Sequence, residues 1–188
     1  MIRTRRWTRD EYERLAELGV FRPDEPIELV GGELIVSEPK GSFHETAVGL
    51  VEDALRAAFG SGWVVRVGSP IAPDDESEPE PDVAVVSGQR RDYRESHPSR
   101  PALVVEVADT SLAFDRDHKG SLYARAGVAD YWIVNLVDRV LEVHRRAVTD
   151  PSARFGWRYS SVDILRPEFT VSPLALPEVS IAVAELLP

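Results

Sequence analysis

The chain has 188 residues, no cysteine and a formal net charge of −10. The missing thiols exclude disulfides, thiolate nucleophiles and cysteine zinc sites and suit a cytoplasmic protein, while the acidic balance argues against a protein that coats DNA through a broad basic face. Hydrophobic residues at 43% and charged residues at 29% describe a globular chain. No apolar run is long enough to span a membrane, and no apolar stretch follows the basic N-terminus as a signal peptide requires. One domain over residues 1–188 is the expectation.

Thr8-Arg-Asp-Glu11 has the spacing of a capping box, and Tyr12, Leu15 and Leu18 follow at helical intervals. A helix is predicted from Thr8 to Leu18, stopped by Gly19. Ile27–Val30 and Glu33–Val36 flank Gly31-Gly32, which predicts a two-residue hairpin. Glu28 and Glu33 interrupt its apolar residues, and alternation points one of them outward. Ser42-Phe-His-Glu45 repeats the capping-box spacing and opens a helix to about Phe59, with Val48, Val51, Leu55 and Phe59 on one face and His44 in its first turn.

Trp63–Val67 reads as a strand, and Asp74–Glu80 as a solvated acidic connection. Asp82–Val86 and Ala102–Val107 are Val-rich runs of the kind that form buried strands. The long segment between them, Ser87–Pro101, carries Arg90, Arg91, Arg94 and Arg100, a local basic cluster. Asp115–Ala126 is predicted helical. Asp130–Asn135, Val140–His144, Trp157–Val162 and Phe169–Val171 are predicted strands, and Val179–Leu187 a last strand or short helix. The order gives a mixed α/β sheet with helices on its faces.

Asp82 opens one buried run and Glu106 sits near the end of the next. A buried carboxylate is costly without a partner. If the strands are neighbours, the two acids meet at one end of the sheet, where paired anions recruit a cation. Oxygen ligands without thiolates suit Mg²⁺ or Mn²⁺. Lys119, on the following helix, can reach the same point to orient or deprotonate a water or to stabilise phosphate charge, with Asp115 four residues before it as a support. His44 is either a packing residue or a lining of the cleft. His97, His118 and His144 show no ligand spacing and are expected at the surface.

At these residues the chain resembles the PD-(D/E)XK nuclease superfamily, and within it the restriction endonuclease-like family Uma-two. The matching motifs are Glu28-Leu-Val-Gly-Gly-Glu33-Leu, His44 at a helix start, Pro81-Asp82-Val, Val104-Val-Glu106-Val with Ser111, Asp115-x-x-x-Lys119-x-x-x-Tyr123, and Gly127-Val-x-x-Tyr131-Trp132-Ile-Val. The resemblance implies a restriction-endonuclease-like αβββαβ core with extra strands near the C-terminus. It implies a Mg²⁺-dependent (or Mn²⁺-dependent) endonuclease site acting on nucleic acid, DNA first, with Asp82, Glu106 and the backbone carbonyl of Val107 as metal ligands. Lys119 would position the nucleophile, and Glu28 and His44 would complete the site. The superfamily lysine usually follows the glutamate by two residues; Ala108 stands there, and Lys119 fits the migrated position of this family. Two departures stand out: the Val107-Ala-Asp-Thr-Ser111 loop, and Asn135 where aspartate is common. A homodimer is the expected assembly, and a non-catalytic module with a vestigial metal site is the alternative.

Overall fold

The structure is a computed structural model that describes residues 4–22, 25–37 and 40–188. Helix α1 (Arg9–Glu17) carries the predicted capping box. The Thr8 hydroxyl accepts the Glu11 N–H, and the Glu11 carboxylate accepts the Thr8 N–H. Strands β1 (Ile27–Val30) and β2 (Glu33–Val36) pair antiparallel around Gly31 and Gly32, whose φ angles of 57° and 80° are those of a type I′ turn. Gly31 has a second reason to lack a side chain: a Cβ there would lie 2.2 Å from the Phe155 ring. Alternation resolves the two glutamates. Glu28 is buried, while Glu33 turns out to meet Arg154.

Helix α2 (Ser42–Phe59) buries Ala47, Val48, Val51, Leu55 and Phe59. The capping box expected at Ser42 is absent. Gly41 is the N-cap and the Glu45 N–H bonds to its carbonyl, so Ser42 already lies inside the helix, where its hydroxyl cannot cap.

A six-stranded sheet follows: β3 (Trp63–Val67), β4 (Val83–Ser87), β5 (Leu103–Ala108), β6 (Asp130–Asn135), β7 (Val140–Thr149) and β8 (Trp157–Leu165), hydrogen-bonded in that order. Only β5 and β6 run parallel. Their crossover is one continuous helix over residues 112–125, made of α3 (Leu112–Phe114), a π turn (Asp115–Lys119) and α4 (Gly120–Arg125). The sequence α2-β3-β4-β5-helix-β6 is the expected αβββαβ core, with β7 and β8 added at its edge. Short strands β9 (Thr170–Val171) and β10 (Ile181–Ala182) and a 3₁₀ turn (Val183–Leu186) close the chain.

Period-two alternation assigns the two sheet faces. Val83, Val85, Val105, Val107, Trp132 and Val134 pack beneath α2 and the C-terminal turn. Ala84, Val104, Tyr131 and Ile133 pack beneath α4. Asp82 and Glu106 share the parity of this second set and so belong to the α4 side of the sheet.

Two further expectations are corrected. Residues 74–80 are not a solvated connection. Ser77, Glu78 and Pro79 are buried, Glu78 and Leu29 exchange backbone hydrogen bonds, and the Ser77 hydroxyl accepts the Gly31 N–H. The hairpin needs partners for its open edge, and this segment supplies them. His144 is buried rather than on the surface. The β6–β7 register sets it beside Tyr131, and it lies between Tyr131 and Tyr159 with Nε2 3.4 Å from Glu142. Asn135, one of the two departures from the family pattern, donates to both Asp138 and Glu142 and serves this structural network. No helix among the described residues is long and apolar enough to cross a membrane.

Candidate active site

The paired strands β4 and β5 place the two acids. Ala84 pairs with Val104, and continuing that register by two residues sets Asp82 opposite Glu106. The Asp82 N–H lies 3.4 Å from Glu106 Oε2, and the Val107 N–H donates to Asp82 Oδ2 at 2.7 Å. Both carboxylates are almost fully buried.

The crossover helix brings in Lys119. Within its π turn the Gly120 N–H bonds to the Asp115 carbonyl, five residues back, and the Tyr131 hydroxyl donates to that same carbonyl at 3.0 Å. Lys119 is buried, with Nζ 3.1 Å from Glu106 Oε1 and 3.3 Å from Glu28 Oε1. Tyr123, one turn further, donates to Glu106 Oε1 at 2.8 Å. Glu28 is fixed from the other side by the Glu80 N–H at 2.9 Å. The expected Asp115–Lys119 pair does not form. Asp115 is buried but accepts instead from the Ser111 hydroxyl at 2.6 Å.

Two groups reach Asp82 from the side of α2. His44 Nε2 lies 3.4 Å from Oδ2, and the Lys40 ammonium contacts Oδ1. Lys40 was not legible as a site residue. It lies before the helix with no periodicity to place it, and its only signal is its position four residues ahead of His44. Asp82, Glu106, Lys119, Glu28 and His44 line one cleft of about 730 Å³, together with Val107 and Lys40. The basic cluster does not. Arg90 and Arg91 lie beyond the far end of β4, a five-residue strand that spans roughly 17 Å.

The electrostatics follow from burial and neighbours. Burial pushes the Asp82 carboxyl up, but His44 and Lys40 outweigh it and hold the group at about 2. Burial raises Glu106 despite Lys119, and the nearby anions Asp82, Asp115 and Glu28 add to the rise. Burial opposes the charge on Lys119, yet Glu106, Glu28 and Asp115 reverse that and keep it firmly protonated.

Among the described residues no three His, Cys, Asp or Glu side chains converge at metal-binding geometry. The chemistry of the donors nonetheless fits a hard divalent cation. Asp82 and Glu106 are adjacent, their donors are all oxygen, and the positive charge that balances them comes from Lys40 and Lys119. The Lys40 side chain is 40% exposed, so solvent is open to it when a cation takes its place on Asp82.

A family profile described as "Putative restriction endonuclease", Uma2, matches residues 9–184. The chain belongs to the Uma2 family. No curated protein matches it by sequence. Among solved structures it resembles one titled as a putative nuclease belonging to DUF820 from Anabaena variabilis. The two share 13% identity, with a TM-score of 0.66 over 96% of this chain and 97% of the other. That likeness shows a shared fold, and with the family match it makes this Uma2 chain a restriction endonuclease-like protein.

Proposed function

We propose that this Uma2 protein is a divalent-metal-dependent endonuclease that hydrolyses phosphodiester bonds in nucleic acid, DNA first. The observation that carries the reading is the buried ammonium of Lys119 held between Glu106 and Glu28, beside the Asp82–Glu106 pair. Three buried carboxylates around one lysine are weak evidence of a stability role, since apolar residues of similar volume often serve that end as well or better. Asp82, Glu106 and the Val107 carbonyl would hold Mg²⁺ or Mn²⁺. When bound, the ion would supply Lewis acidity toward the phosphate and a more acidic water.

The chain's own residues do the rest. Lys119 donates toward the reacting oxygens and stabilises developing negative charge. Glu28 and Tyr123 fix that lysine and Glu106 in place. His44 holds the orientation of the Asp82 carboxylate from the cleft side. Lys40 balances Asp82 until it turns toward the substrate phosphate.

The test is incubation of DNA and RNA substrates with Mg²⁺ and with Mn²⁺. Cleavage by the wild type, lost in Asp82→Asn and Glu106→Gln, supports the reading. Intact substrate with both metals at low salt overturns it. The rival, a nuclease-fold module that binds without cutting, draws on one specific observation: Lys40 and Lys119 already neutralise the two acids.

A further inference from the structure

The cleft's charged lining is mostly acidic. Seven carboxylates line it, against two lysines and one histidine. Duplex binders gain most of their affinity from many phosphate contacts by lysine and arginine. Here the exposed arginines of 90–94 lie at the opposite end of β4 from Asp82, and Arg116 and Arg125 are committed to Glu142 and Asp74. A duplex laid over this mouth would meet mostly negative charge.

One wall of the cleft is apolar instead. Ile35 and Phe114 pack against the same cluster of Val30, Leu122 and Phe155, so hairpin and helix form one continuous surface. Val36, 54% exposed, lines the same cleft from the neighbouring position on the hairpin. Phe114 is backed by a parallel ring: His118 stacks on it with centroids 4.6 Å apart and an interplanar angle of 18°. The acids lie buried at the floor, so a phosphate must come down to them. A strand that brings one there presses its sugar and base against these walls, and only an unpaired base offers a face to an apolar surface.

We propose that the cleft takes a single-stranded nucleic-acid segment, with one base laid against Phe114 and Val36 and the adjoining phosphate at Asp82 and Glu106. The inference rests on the phosphodiesterase reading and narrows its substrate to an unpaired strand, as at an end, a gap or a displaced strand. Recognition is by base stacking, which every base can provide, with only the phosphate contacts that Lys40 and Lys119 can make.

Fluorescence anisotropy with a labelled twelve-nucleotide DNA, the RNA of the same sequence and the DNA duplex tests it, in calcium buffer, with cleavage followed separately in magnesium. The expected result is single-strand binding at least ~10-fold tighter than duplex binding, with a log–log salt slope of about −1 to −2 rather than the steep slope of a duplex binder. Phe114→Leu should weaken it by roughly 10-fold and Phe114→Trp should restore it. Val36→Ser, at an exposed position, should weaken it as well. Comparing the DNA and RNA strands tells which sugar is preferred. Duplex binding equal to or tighter than single-strand binding, or unchanged affinity in both the Phe114→Leu and Val36→Ser variants, overturns the inference. Duplex cleavage without preference overturns it while leaving the phosphodiesterase reading intact. Single-strand binding without hydrolysis in any metal sustains the stacking site and overturns the catalytic reading instead.

Discussion

Asp82 stands directly across the β4–β5 pair from Glu106, two residues beyond the Ala84–Val104 pairing, with its own N–H toward the glutamate carboxylate. The pairing register therefore fixes the distance between the two acids. A slip of one residue would send one of them to the α2 face. Substituting either acid should cost activity without unfolding the sheet. We expect Asp82→Asn and Glu106→Gln each to lose at least ~100-fold in kcat while keeping a wild-type circular dichroism spectrum. Residual activity above a tenth of wild type in both variants would remove these residues from the chemistry.

Lys119 holds two carboxylates apart, Glu106 at 3.1 Å and Glu28 at 3.3 Å. Lys119→Met leaves both without a partner, and breaking a buried pair from one side typically costs about 3 kcal/mol or more. The loss in urea unfolding should be largest above neutral pH and shrink on acidification, because protonating the orphaned acids relieves it. Adding Glu28→Gln to Lys119→Met should recover part of the stability. Additive losses in the double variant would show that the two residues act independently.

Lys40 contacts the oxygen of Asp82 that a cation would otherwise share. Lys40→Gln removes that competitor. Manganese binding, followed by loss of the free-ion electron paramagnetic resonance signal, should tighten several-fold in this variant. Weaker or unchanged binding would mean that Lys40 does not compete with the ion.

Glu142 supplies a pH prediction outside the cleft. Burial pushes its carboxyl up, but His144, Arg116 and Asn135 outweigh that and hold it at about 2 against an ordinary 4.5. A depressed folded-state value means that the group stabilises the fold above its unfolded pKa and that this contribution disappears as pH falls from about 4.5 toward 2. The partner guanidinium is 42% exposed, so the contribution is discounted to roughly 2 kcal/mol. Glu142→Gln should lower the melting temperature at pH 7 and flatten its dependence below pH 4.5. An unaltered acid limb would place the acid sensitivity elsewhere.

Much of this arrangement was legible in the sequence because each part obeys a local rule. The Thr8 capping box, the Gly31-Gly32 turn and the apolar face of α2 are encoded within a few residues. Asp82 and Glu106 were visible as acids at the ends of apolar runs. What escaped depends on contacts distant in sequence. Residues 74–80 look like an acidic loop until the hairpin edge they pair with is in view. His144 looks superficial until α4 covers its face of the sheet. The π turn between Asp115 and Lys119 accepts a hydrogen bond from Tyr131, on the next strand, at its Asp115 carbonyl, a contact no local pattern announces.

The most direct test of the account is a crystal of the protein soaked in manganese, read by anomalous difference density at the manganese edge. One strong peak is expected between Asp82 and Glu106, about 2.1 Å from a carboxylate oxygen of each, with Lys40 turned away. No peak there at saturating manganese, with Lys40 still on Asp82, would contradict it.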